Sequence, residues 1–156
     1  MKLSTFNLSK KDRRRRESDY NLKTKRILIL GAGAAGTIVA NKLARDLRRE
    51  IAKDEVEIKI LDKNDVSVNQ AGFTFIPFGF YTPDDIRRPR RKLISPRVKA
   101  IFGKDGEVAR VDLGNREVTV RSGKKYGYDY LLIATGCTQD VESVPGLSKD
   151  FNTFYT

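Results

Sequence analysis

The 156-residue chain contains no histidine and one cysteine, Cys137. Without histidine it has no imidazole for acid–base or metal chemistry. With one thiol it can form no internal disulfide, and Cys137 alone cannot build a structural zinc site. This cysteine usage fits a reducing compartment. No apolar run reaches the 18 residues of a membrane span, and the N-terminus lacks the apolar stretch of a signal peptide. The expectation is an intracellular chain without a membrane-spanning helix. Acidic residues are also scarce at one end. Residues 1–26 hold ten of the 31 basic residues against three acids, which gives +7 of the net +11. The basic character is therefore concentrated in a tail.

Residues 1–25 are polar, charged and without periodicity, and they read as a disordered basic arm. The run Arg13–Arg16 has two readings, a solvated tail or a contact to an acidic surface or nucleic acid. The solvated tail is the plainer one, and nucleic acid is not the expected partner. Residues 26–156 are long enough for one domain with its own core.

The most informative string is Arg-Ile-Leu-Ile-Leu-Gly-Ala-Gly-Ala-Ala-Gly at 26–36. A buried-strand run, 26–30, leads into Gly31, Gly33 and Gly36 in GxGxxG spacing, and a helical pattern follows over 34–52. Ile38, Val39, Leu43, Leu47 and Ile51 recur at three- and four-residue spacing and predict the buried face. Val56, Ile58, Ile60 and Leu61 form a second strand ending at Asp62. Strand, glycines, helix, strand and terminal acid in this order are a dinucleotide-binding fingerprint. Gly33 leaves room for a pyrophosphate, and the helix N-terminus offers it unpaired N–H groups and a positive dipole end. The right-handed crossover makes the two strands parallel neighbours. The acid at 62 disfavours a 2′-phosphate at this site.

Residues 64–81 are loop-rich and aromatic (Phe73, Phe75, Phe78, Phe80, Tyr81). This stretch either faces a flavin or lipid-like substrate or forms core beneath a long loop. Core is preferred, because five exposed aromatics would make an aggregation-prone patch. Thr82-Pro83-Asp84-Asp85 predicts a short helix, with Thr82 as N-cap and Pro83 at the first helical position. From 98 to 135 the period falls to two. Strands at 108–112, 117–121 and 126–134, joined by short turns, predict an antiparallel meander. The apolar end of the last run, 130–134, is expected to rejoin the parallel sheet.

The order of fingerprint, acid-ended strand, meander and Tyr128-Asp129-Tyr130-Leu131-Leu132-Ile133-Ala134-Thr135-Gly136 resembles the FAD- and NAD(P)-dependent pyridine nucleotide–disulfide oxidoreductase superfamily. Within it the chain is most similar to sulfide:quinone oxidoreductases. The carriers are Asp62-Lys63-Asn64 before the aromatic stretch, Pro83-Asp84-Asp85-Ile86-Arg87-Arg88-Pro89, and Thr135-Gly136-Cys137 before Val144-Pro145-Gly146-Leu147, with Phe154-Tyr155-Thr156 at the end. The resemblance implies an α/β, Rossmann-like FAD/NAD(P)-binding domain over 26–156 with a parallel sheet and an antiparallel meander, incomplete relative to the family architecture. It implies FAD as cofactor. Gly31, Gly33, Ala35 and Gly36 would line the pyrophosphate, with Asp62 on the adenosine ribose and Lys63 beside it. Val108 would face the adenine through its backbone, and Thr135 and Gly136 would close over the cofactor. Plain structural roles stand beside these: a solvated strand end for Asp62, a core residue for Val108, a simple turn for Thr135-Gly136.

Cys137 is either catalytic or a passive small residue; the family's sulfur chemistry uses a cysteine pair, and the second member is not in this sequence. Family members continue into a second domain and a returning segment. The chain is thus expected to be the N-terminal portion of a larger architecture, binding the ADP half of FAD alone or requiring a complementary chain. In a complete enzyme the electron acceptor would be a quinone or similar compound. Its expected location is cytoplasmic, peripheral at the inner face of the membrane. An NADH-linked flavoprotein reductase and a non-catalytic nucleotide-binding fragment remain the alternatives.

Overall fold

The computed structural model describes residues 24–137 together with Asp140 and Ser143. The basic arm up to residue 23, the Val144–Leu147 string and the terminal Phe154-Tyr155-Thr156 lie outside the described residues. In chain order the elements are β1 (Lys25–Leu30), α1 (Ala34–Asp46), α2 (Arg48–Ala52), β2 (Val56–Leu61), β3 (Val66–Val68), β4 (Arg87–Pro89), β5 (Lys99–Ile101), β6 (Val108–Asp112), β7 (Glu117–Val120), β8 (Lys125–Gly127) and β9 (Tyr130–Ile133).

The run Ile27-Leu28-Ile29-Leu30 is apolar at every position because both faces of its strand are covered. β1 lies inside a four-stranded sheet of order β5-β2-β1-β9. Its pairings to β2 (Lys25↔Val56 through Leu30↔Leu61) and to β9 (Ile27↔Tyr130 through Leu30↔Ile133) are both parallel. β5 extends the sheet in the same sense beside β2. Side chains then alternate between two cores. Ile29, Ile58 and Ile60 pack with Ala40 and Ala44 of α1 and with Ile94, Val98 and Ala100. Leu28, Leu30 and Leu61 point the other way, against Val118, Val120 and Tyr128 of the meander β6-β7-β8.

Parallel sheet and meander stand as expected, with four differences of detail. The helix divides near Leu47 rather than running through 52. Its buried stripe is Gly36, Ala40 and Ala44, while Ile38 is 66% exposed. Small side chains let the helix lie close to the sheet, and the larger Val39, Leu43, Leu47 and Ile51 flank that contact half-buried. No helix forms after Thr82. The Thr82 N–H and hydroxyl both donate to Asp85 Oδ2, at 2.8 and 2.6 Å, and the chain turns back so that β4 pairs antiparallel with β3.

The third meander run is two strands. Asp129 makes the division: its N–H donates to Arg26 O at 2.9 Å and its Oδ2 accepts from Arg26 N at 2.8 Å. The chain thereby leaves the meander and enters the parallel sheet. The Arg26 backbone N–H, then its guanidinium, hold the Asp129 carboxyl below the ordinary carboxylate range.

The two faces of this helix–sheet layer differ in energy. Ile60, fully buried, is expected to cost about 2–5 kcal/mol as Ile60→Ala. Ile38→Ala should stay within about 0.5 kcal/mol of the parent. Urea unfolding of the two variants checks this; equal losses would contradict the helix orientation.

Candidate functional site

The carboxyl ends of β1, β2 and β9 meet where β1 turns into α1, and the turn is very close-packed. Gly31 has φ +96°, and a Cβ there would lie 2.3 Å from Ala134 O and 3.0 Å from Thr135 Cα. A Cβ on Gly36 would lie 1.9 Å from Gly31 O. These two positions admit only glycine. Backbone bonds fix the same junction: Gly31 N donates to Leu61 O at 2.7 Å and Ala134 N to Leu30 O at 2.8 Å.

Gly33 differs from both, since nothing lies within 4 Å of a Cβ built on it. It is the N-cap of α1, no side chain caps the helix there, and the first turn carries no acid. Ala34 and Ala35 beside it are exposed. The first N–H groups of α1 therefore face open space, and no acid in the helix's own first turn offsets their dipole.

Asp62 follows β2 directly and lies beside this turn. Its Oδ2 accepts from Ala32 N at 2.7 Å and from Arg90 Nη1 at 2.5 Å, and its Oδ1 accepts from Asn64 N at 2.8 Å. With its side chain 13% exposed, Asp62 is not a solvated strand end. Arg90 was not legible as a site residue. The signal was only that it sits in the basic stretch Arg87–Lys92, and its burial depends on a carboxylate 28 positions away in sequence. Gly106 was missed too: a Cβ there would lie 2.4 Å from Asp62 O and 2.2 Å from Ile101 O.

The other expected residues divide by position. Ala35, Lys63, Thr135 and Gly136 are exposed around the same strand ends. Val108 is half-buried at the start of β6 and packs against the meander-side core. Cys137 is exposed. Among the described residues no cluster of acids, histidine and cysteine could hold a metal. The aromatic stretch is not core: Phe78 and Phe80 are 76% and 73% exposed, and Phe75 and Tyr81 are each 46% exposed. Phe75 packs edge-on to both Phe80 and Tyr81. A separate hollow of about 390 Å³ lies at the starts of β1, β2 and β5, lined by residues including Arg26, Glu57 and Lys99. It is at the opposite edge of the sheet from the carboxyl ends where α/β folds bind ligands.

Comparison with known proteins shows the family. The family model for pyridine nucleotide-disulphide oxidoreductases matches residues 25–156. The NAD(P)H coenzyme A polysulfide/persulfide reductase of Pyrococcus horikoshii is 28% identical over 126 residues, covering 80% of this chain and 27% of that protein. The type II NADH:quinone oxidoreductase of Staphylococcus haemolyticus is 29% identical over 128 residues, covering 81% and 30%. Among solved structures, the sulfide:quinone oxidoreductase of Aquifex aeolicus superposes with a TM-score of 0.59 at 25% identity, over 72% of this chain and 24% of that one. The chain spans less than a third of the length of these relatives.

The glycines should separate by experiment. Gly36→Ala forces the helix off β1 and is expected to cost about 1–3 kcal/mol. Gly33→Ala meets no atom and should change stability by less than about 0.5 kcal/mol. Thermal melts of both variants without ligand check the pair, and a large loss at Gly33 would contradict the open space there.

Proposed function

The chain belongs to the pyridine nucleotide-disulphide oxidoreductase family, and on that premise we propose that it is the FAD-binding part of a flavin-dependent oxidoreductase resembling sulfide:quinone oxidoreductase. One observation carries the reading. The α1 N-terminus opens, over a glycine with free space above it, onto open space beside a half-buried carboxylate. That is the donor and acceptor set for an adenosine diphosphate: N–H groups for the pyrophosphate, a carboxylate oxygen for the ribose.

The residues take these roles. The backbone of Gly31, Gly33, Ala35 and Gly36 holds the pyrophosphate. Asp62 accepts from the adenosine ribose, and the exposed Lys63 adds a positive charge beside it. The Val108 backbone lies toward the adenine, its side chain staying in the core. Thr135 and Gly136 cover the cofactor where it leaves the turn toward the flavin. FAD, when bound, supplies the two-electron chemistry. A quinone is the acceptor in the complete enzyme, and a further segment or chain supplies the contacts to the flavin ring. We place that enzyme in the cytoplasm at the inner membrane face; no helix among the described residues is long and apolar enough to cross a membrane.

A second reading is an NADH-linked quinone reductase, favoured by the relatives that carry NADH:quinone oxidoreductase names. The two differ at Cys137. Its exposed thiol would be one member of the cysteine pair that sulfide oxidation requires, with the second member supplied by a further segment or chain, whereas hydride transfer from NADH gives it no task. In both readings the ADP half of FAD sits at the same residues.

Calorimetric titration with FAD and with ADP tests the site. The parent chain should bind both. Gly33→Val fills the space of the pyrophosphate and should abolish binding while the fold persists. Equal affinity in parent and variant would overturn the assignment.

A further inference from the structure

The inference concerns Arg90 and rests on the reading that an adenosine ribose meets Asp62. Arg90 is tied down at three points. Its backbone N–H donates to Asp65 O at 2.7 Å, its Nε to Val66 O at 2.9 Å and its Nη1 to Asp62 Oδ2 at 2.5 Å. Its side chain is 14% exposed. The guanidinium is a strap across residues 62–66, and its planar fork serves two acceptors at once, which a lysine ammonium on a flexible stem does not reproduce.

The consequence lies in counting lone pairs. Each carboxylate oxygen has two good acceptor positions. Oδ2 has two donors, Ala32 N and Arg90 Nη1, and is full. Oδ1 has one donor, Asn64 N, and keeps one position. A ribose presents two vicinal hydroxyls. A free strand-end carboxylate takes both, one on each oxygen, whereas this one has room for a single hydroxyl.

We infer that Arg90 is a positioning residue that sets ribose specificity, reducing Asp62 from a two-hydroxyl to a one-hydroxyl acceptor and aiming Oδ1 at it.

The test uses the 156-residue chain and three nucleotides, ADP, 2′-deoxy-ADP and 3′-deoxy-ADP, titrated calorimetrically. In the parent, one deoxy analogue should bind roughly tenfold more weakly than ADP, the loss of one charge-assisted hydrogen bond, and the other within about twofold. Arg90→Met keeps the apolar stem and frees Oδ2, so both analogues should then bind more weakly than ADP. Arg90→Lys should return part of the single-hydroxyl preference. Circular dichroism melts confirm that each variant is folded. The inference is overturned if the parent loses affinity for both analogues or for neither. It is equally overturned if Arg90→Met keeps the parent pattern, or loses all ribose preference and so shows Arg90 to be scaffold. Failure of the underlying site reading looks different: no heat with any of the three nucleotides, which removes this inference with it.

Discussion

The structure depends on backbone approaching backbone where β1 passes into α1. Gly36 lies against Gly31 O, and Gly31 lies against the Ala134 carbonyl, with no room for a Cβ at either place. This contact seats α1 on the sheet through its small-residue stripe Gly36, Ala40 and Ala44. It also brings the carboxyl end of β9 against the same turn, so that three strand ends and one helix N-terminus converge. The third glycine of the turn, Gly33, takes no part in that packing. The close contacts at 31 and 36 support an opening at 33, and the opening is what a ligand can use.

Much of this was legible in the sequence because it rests on local pattern. The run 27–30 is apolar at every position, as a strand covered on both faces requires, 56–61 alternates apolar and charged residues before closing on Ile60-Leu61, and the glycine spacing between them marks a tight turn into a helix. The meander followed from alternation and turn residues. What escaped rests on tertiary context. Ile38 looked like core by periodicity, yet close packing selected the alanines and glycine one step around the helix. Val66-Ser67-Val68 and Arg87-Arg88-Pro89 are too short and too polar to announce a hairpin, and their pairing drew Thr82–Asp85 into a turn in place of a helix. Arg90 read as one more surface charge until Asp62 was placed beside it.

The aromatic stretch shows the same limit from the other side. Five aromatics in nine residues argue for burial on hydrophobicity alone. Among the described residues they are instead mostly exposed, because the sheet's two faces are already covered by α1 and the meander, which leaves no core for them to enter.

The electrostatics of the site follow from this geometry. The uncapped N-terminus of α1 presents positive potential to the open space over Gly33. Arg90 balances the charge of Asp62, so the carboxylate would sit beside the proposed pyrophosphate position without an uncompensated repulsion. The most direct measurement is the amide ¹H–¹⁵N spectrum of the chain titrated with ADP. The account predicts the largest shifts at Ala32 to Thr37, at Asp62 to Asn64 and at Thr135 and Gly136, with the meander strand Glu117–Val120 nearly unmoved. Saturable shifts centred on the opposite sheet edge, at Arg26, Glu57 and Lys99, with the glycine turn unmoved, would contradict it.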